Sequence, residues 1–197
     1  MMQAVDSEVS RRKFEREVGH LREIEPTLIS RGWWVMSADF PCVKVAFATV
    51  GMRPRVIPFA VKADFTDYDV RPLAITFVDP FEDRELAASE MMTHLPRLLP
   101  VDPAVPTEVA AQMPPQRINL YQHYPHMPTT PGFLCLPGTR AYHEHPAHSG
   151  DSWELHRNTG EGRLFALLET VWRYGTAPIQ QFQFAVNVML GQSEIPA

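Results

Sequence analysis

Between residues 6 and 25 the apolar side chains recur at Phe14, Val18, Leu21 and Ile24, with charged residues filling the turns between them. Spacings of four, three and three put these side chains on one stripe of an α-helix. Asp6 or Ser7 is placed to cap its start, and Pro26 breaks the period. The charged face, Arg11 to Arg16 with Arg22, reads as a solvated surface, with docking of a partner protein as the alternative.

After Gly32 the period changes to two. Val43, Val45 and Phe47 alternate with Lys44, Ala46 and Ala48, a second strand-like run covers 56–65, and a third, LAITFV, covers 73–78. Their short connections predict an antiparallel meander, because a parallel pair needs a long crossover. Cys42 stands at the head of the first strand beside Pro41 and Val43 and reads as a structural thiol, buried or half-buried.

The pattern then fails. Ten prolines lie between Pro96 and Pro137, so the chain over 79–132 is predicted as a long coil with short helical pieces around 82–95 and 106–112. Periodicity returns in GEGRLFALLETVWRYG, where Leu164, Leu167, Leu168, Val171 and Trp172 define a helix with Gly175 as its C′ residue. A helix or strand follows in IQQFQFAVNVMLG. Helix, meander, long coil and helices in that order read as α+β, one domain over residues 1–197.

Composition narrows the function classes. The 197 residues are 45% hydrophobic and carry a formal net charge of −5, with no Lys/Arg run to follow a phosphate backbone, so nucleic acid is excluded as a partner. No apolar run reaches the ~18 residues of a membrane span, and the charged N-terminus lacks a signal-peptide core, so a cytoplasmic protein is expected. In that reducing compartment the two cysteines are expected to stay unpaired.

The chemistry concentrates in one stretch. PGFLCLPGTRAYHEHPAHSGDSWELH, residues 131–156, holds Cys135 and then His143, Glu144, His145, His148 and His156, and His123 and His126 come just before it. Six of the eight histidines therefore fall within 34 residues. A thiol attacks as thiolate, or when a base takes its proton, and histidine titrates in the range that suits that work. Prolines at 125, 128, 131, 137 and 146 stiffen the coil that would present the thiol. The same residues admit a zinc site made of Cys135, Glu144, His145 and His148, although C-x8-E-H-x2-H matches no common structural zinc spacing. No phosphate-binding glycine motif is present, so no nucleotide cofactor is expected. Extended backbone over 143–148 would put His143 and His145 on one face and Glu144 and His148 on the other.

On these residues a family resemblance emerges. YPHMPTTPGFLCL, residues 124–136, resembles the active-site segment of ubiquitin-conjugating enzymes, in which a His-Pro-Asn motif precedes a glycine and then an apolar-flanked catalytic cysteine. Tyr124-Pro125-His126 stands at the motif, Gly132 precedes the thiol, and Leu134 and Leu136 flank Cys135. DYDVRPLAITF, residues 67–77, is similar to the family's Tyr-Pro-Phe-x-x-Pro-Pro segment, so the likeness runs over roughly residues 8–175.

The resemblance implies a UBC-like fold: N-terminal helix, antiparallel meander, Cys-bearing extended coil and C-terminal helices. It implies a transferase in which Cys135 takes a ubiquitin-like protein from an activating enzyme as a thioester and hands it to a target amine. The asparagine of the motif is absent, leaving His126 as the expected oxyanion donor and one of His143, His145 or His148 as base. The Pro-rich segment at 82–120 and HEHPAH depart from eukaryotic members and are similar to divergent bacterial relatives encoded beside ubiquitin-like proteins, often in antiphage operons. One such group has been regarded as a metal-binding domain with a Cys-Glu-His-His signature, which the zinc alternative at Cys135, Glu144, His145 and His148 would satisfy. A scaffold that binds an activating enzyme without catalysis is the other alternative. By the same resemblance, Arg11, Arg12 and Lys13 on the first helix are the expected contacts for the activating enzyme.

Overall fold

The structure, a computed structural model, describes residues 6–181. The expected element at IQQFQFAVNVMLG runs beyond Gln181 and so lies outside the described residues.

The first helix, α1, is Ser7–Glu23, and Asp6 caps it by accepting the Glu8 N–H at 2.9 Å. The cap satisfies one of the N–H groups a helix start leaves unpaired. Phe14, Val18 and Leu21 are buried as their spacing requires, and Ile24 is exposed at the helix end. The first helix ends before Pro26, as the broken period requires: α1 closes on Ile24, and Pro26 belongs to a second, short helix. It occupies the first turn of α2, Glu25–Ser30, where a missing N–H costs no hydrogen bond. Gly32 then reverses the chain at φ +82°; a Cβ there would lie 2.6 Å from the Ala48 carbonyl oxygen.

Four strands form the antiparallel meander in sequence order: β1 Trp33–Asp39, β2 Cys42–Phe47, β3 Phe59–Asp64 and β4 Ala74–Val78. The alternation of β2 is real, with Val43, Val45 and Phe47 buried, but Ala46 is buried as well. Ala46, Ala60 and Val78 form a small second cluster of their own, so the sheet is covered on both sides there. β1 escaped the periodic reading because Met36 is exposed and a bulge between Val35 and Ser37 interrupts the register. Cys42 is half-buried at the head of β2, as its apolar flank implies.

The main core joins α1, the sheet and α6, Leu164–Val171, whose Leu164, Leu167, Leu168 and Val171 are buried. Beyond α6 the backbone widens into a π-helical turn, Trp172–Thr176, closed by the Ala177 N–H on the Trp172 carbonyl at 2.9 Å. Gly175 lies inside that turn, not at a C′ position. Its lack of a side chain serves packing: a Cβ would stand 3.0 Å from Phe59 Cζ.

The expected long coil is only partly irregular. Over 82–95 the one helical piece is a 3₁₀ turn at Ala88–Glu90, and the 106–112 piece is α3, Thr107–Ala110. Two small ladders stiffen the rest: β5 Pro96–Leu98 pairs with β6 Arg117–Asn119, and β7 Tyr121–Gln122 pairs with β8 Phe133–Leu134. A run of packed rings, Phe47 to Phe59, Phe59 to Phe77 and Phe77 to Tyr121, leads from the core to the second ladder.

The β3–β4 turn fastens two parts of the molecule together. From α1, the Ser10 hydroxyl donates to the Tyr68 carbonyl at 3.0 Å and Lys13 pairs with Asp69. From α5, Trp153–His156, the Trp153 indole N–H donates to the Asp69 carbonyl at 2.8 Å, and Arg157 just after it reaches the Asp69 carboxylate at 3.1 Å. Among the described residues no helix is long and apolar enough to cross a membrane.

Candidate active site

The segment bearing the thiol is positioned by a close approach of two strands. A Cβ on Gly132 would lie 2.4 Å from the Gln122 carbonyl oxygen and 2.5 Å from Tyr121 Cζ, so this position admits glycine alone. The Gly132 N–H donates to the Tyr121 hydroxyl at 2.8 Å, and the Cys135 N–H to the Leu120 carbonyl at 2.7 Å. Strand alternation then sends Leu134 into the core and leaves Cys135 half-buried at the strand end. Burial pushes the Cys135 thiol up from its ordinary pKa, so the resting group is S–H.

Past the thiol the chain returns to the sheet. The Thr139 hydroxyl donates to the Leu134 carbonyl at 2.9 Å, and the Arg140 N–H to the Leu73 carbonyl at 2.8 Å. Residues 143–148 are not extended as expected. They belong to α4, Arg140–Glu144, and a 3₁₀ turn, Pro146–His148, which His145 caps by accepting the Ala147 N–H at 3.2 Å. Pro146 sits in the first turn of that short helix, where proline is tolerated, so it initiates a turn instead of enforcing extension.

Helical geometry sends the four ionisable residues in different directions. His148 brings Nε2 to 3.4 Å from Cys135 Sγ. His143 turns away, its Nε2 accepting the Gly138 N–H at 3.3 Å and its Nδ1 lying 2.9 Å from the Asp151 carbonyl oxygen; a ring with its proton on Nδ1 satisfies both. His145 stacks on Phe133 with ring centroids 5.3 Å apart. Glu144 pairs with Arg71. His126 is exposed in a turn closed by the Met127 N–H on the Tyr124 carbonyl, and its ring lies against Tyr124. His123 packs beside His94 and Tyr121. Of the five residues expected at the site, the structure thus brings Cys135 and His148 together and gives His126, His143 and His145 other neighbours.

The zinc alternative required Cys135, Glu144, His145 and His148 to converge. With Glu144 on Arg71 and His145 on Phe133 they do not, and among the described residues no three His, Cys, Asp or Glu side chains gather as a metal site.

Three residues beside the pair carried no role in the sequence. The Tyr142 ring stacks on His148 with centroids 3.9 Å apart and planes 19° from parallel, and its hydroxyl donates to Asp151 Oδ2 at 2.7 Å. Asp151 Oδ1 lies 2.6 Å from His156 Nε2, and His156 Nδ1 lies 2.8 Å from Glu161 Oε2. The bond to Asp151 pushes the Tyr142 pKa up to about 12. Hydrogen bonds from His156 and Tyr142 hold the Asp151 carboxyl below its ordinary range, and those to Asp151 and Glu161 hold the His156 imidazolium above its own. The even spacing Asp151, His156, Glu161 was the available signal. Nothing local marks Tyr142, six residues before the ring it covers.

Fold and site together define an α+β protein with a half-buried thiol 3.4 Å from one imidazole nitrogen at the end of a strand. The chain belongs to the Y4jH family: residues 5–179 match the model of that family, described as Y4jH-like. It is similar to a protein of Sinorhizobium fredii (strain NBRC 101917 / NGR234) whose name reads "Uncharacterized protein y4jH", with 38% identity over 204 residues covering 99% of this chain and 96% of that one.

Proposed function

We propose that the protein is a conjugating enzyme of the ubiquitin-conjugating kind, with a UBC-like arrangement of its elements. Cys135 accepts the C-terminal acyl group of a small ubiquitin-like protein from an activating enzyme and passes it to an amine of a target protein. The observation that carries the reading is the 3.4 Å approach of His148 Nε2 to Cys135 Sγ at a half-buried strand end.

The geometry suits proton transfer concerted with attack. Because burial keeps the thiol protonated, sulfur becomes nucleophilic as His148 takes its proton. In loading, Cys135 Sγ forms a bond to the carbonyl carbon of the incoming thioester, the carbon–sulfur bond to the activating enzyme breaks, and the departing thiolate is reprotonated. In discharge, the amine attacks the same carbon, His148 receives its proton, and the Cys135 thiolate leaves and recovers a proton. His126, set against Tyr124, has no step in this scheme. The order of N-terminal helix, meander, Cys-bearing segment and C-terminal helix supports the reading, as does the spacing of Gly132 and Leu134 before the thiol.

The test is incubation with a ubiquitin-like protein, its activating enzyme and ATP, followed by non-reducing electrophoresis. Wild type is expected to form an adduct that reductant collapses, and Cys135→Ala none. His148→Ala is expected to slow discharge by ~10²-fold or more, the span of a lost general base. An adduct that persists in Cys135→Ala, or no adduct with wild type, overturns the proposal.

A further inference from the structure

We infer that Tyr142 is the positioning residue of this site: it holds the His148 ring at the Cys135 thiol, and Asp151 with His156 holds Tyr142. The inference rests on the thiol–imidazole pair proposed above and adds the reason that the pair keeps its geometry.

His148 ends a 3₁₀ turn of three residues, and its ring has two rotatable bonds. Among the described residues its side-chain hydrogen-bond contact is the thiol itself, a weak partner that cannot fix the ring plane. Orientation must then come from packing. The contact close enough to supply it is the Tyr142 face at 3.9 Å; His145, tilted by 52° at 5.7 Å, constrains the ring far less.

A tyrosine can orient a neighbour only if its own ring is fixed. Here the hydroxyl is anchored to Asp151 Oδ2 at 2.7 Å, and Asp151 is itself held at every polar atom. Its other carboxylate oxygen meets His156 at 2.6 Å, its backbone carbonyl meets His143 Nδ1 at 2.9 Å, and its N–H donates to the His148 carbonyl at 2.9 Å. That last bond ties the hub to the residue being positioned. Glu161 completes the chain from the far side of His156. The clamp therefore closes on itself: Tyr142 covers the His148 ring, Asp151 grips Tyr142, and the backbone of Asp151 grips His148.

The experiment reads the thiol directly, apart from any conjugation partner. Alkylation of Cys135 by iodoacetamide is followed from pH 5.5 to 9.5 in wild type, Tyr142→Leu, Tyr142→Phe, Asp151→Ala and His148→Ala, each carrying Cys42→Ser so that one thiol remains. Below pH 8 wild type is expected to show an excess rate over His148→Ala, which keeps the shielded thiol and lacks the base. Tyr142→Leu is expected to lose most of that excess, a drop of roughly tenfold to a hundredfold, as misplaced catalytic groups do. Tyr142→Phe, which keeps the stack, should retain more than Tyr142→Leu, and Asp151→Ala should fall between them. The ordering is the diagnostic, because a merely structural role would lower melting temperature without changing the shape of the pH profile. If Tyr142→Leu does not fold, the comparison of Tyr142→Phe and Asp151→Ala with wild type decides. Wild-type profiles in the folded Tyr142 and Asp151 variants, with a changed one in His148→Ala, overturn the positioning role alone. An unchanged profile in His148→Ala overturns the thiol–imidazole pair beneath it.

Discussion

The meander and the loop that follows Cys135 are held by opposite means. In the sheet, Phe47, Phe59, Val61, Phe65 and Phe77 are buried against one another and against α6, and stability comes from apolar area and close packing. Between Thr139 and Glu161 few side chains are buried, and order comes from hydrogen bonds, ion pairs and stacked rings: Arg140 on the Thr66 and Pro72 carbonyls, Glu144 on Arg71, Tyr142 and His156 on Asp151. The lesson is a division of labour. Apolar packing resists change over a wide range of conditions, whereas a polar lattice sets the directions of individual side chains, which the proposed thiol chemistry needs.

Substitutions should separate the two. Phe59→Ala removes a ring at the centre of the core and is expected to cost about 3–5 kcal/mol, lowering the melting temperature by roughly 10 °C and taking thiol chemistry with it. Gly132→Ala tests the seam between the regions. Its new Cβ would meet backbone and a ring that cannot retreat, so about 1–3 kcal/mol of overpacking and a displaced Cys135 are expected, read by thermal melting and by alkylation rate. If Gly132→Ala melts like wild type, the close approach is not a constraint.

Asp69 links the regions and gives a pH signature. Burial by itself would raise its carboxyl, but hydrogen bonds from Lys13 and Arg157 outweigh that and hold it below the ordinary range. A depressed carboxyl contributes stability above the unfolded value, ~3.9, and loses it as pH falls through the lower folded value. The advantage of wild type over Asp69→Asn in urea midpoint should therefore be full at pH 6 and shrink below about pH 4. His156 has the opposite sign and the smallest effect. Its raised pKa contributes stability below about 6.5 that disappears as pH climbs through the folded value. His156→Gln should thus differ from wild type more at pH 6 than at pH 9, by no more than about 1 kcal/mol, as for solvent-facing ion pairs. A larger deficit at pH 9 would reverse the assignment.

The same division decides what could be read from the chain. Burial is periodic, so α1, β2, β3, β4 and α6 announce themselves through Phe14 and Val18, Val43 and Val45, Val61, Phe77 and Leu167. β1 does not, because Met36 is exposed and a bulge at Val35 breaks alternation. Gly175 misled, because it is a punctuation residue used inside a helical turn, where it makes room for Phe59. Cys135 was legible through the histidines and prolines that crowd it along the chain, and its half-exposure goes with the inward turn of Leu134. The choice of His148 among three histidines was not. It depends on a helical turn whose geometry is fixed by Asp151, a residue outside the HEHPAH segment, through bonds that have no periodic signature.

The half-burial of Cys135 has a further consequence, in redox terms. Oxidation to sulfenic acid follows thiolate character and exposure, and this sulfur at rest is protonated, partly shielded and, among the described residues, paired with no Lys or Arg. It is therefore a poor target for peroxide while idle. A permanently ionised cysteine is always ready and always vulnerable; this one rests in the protonated form, which peroxide attacks slowly.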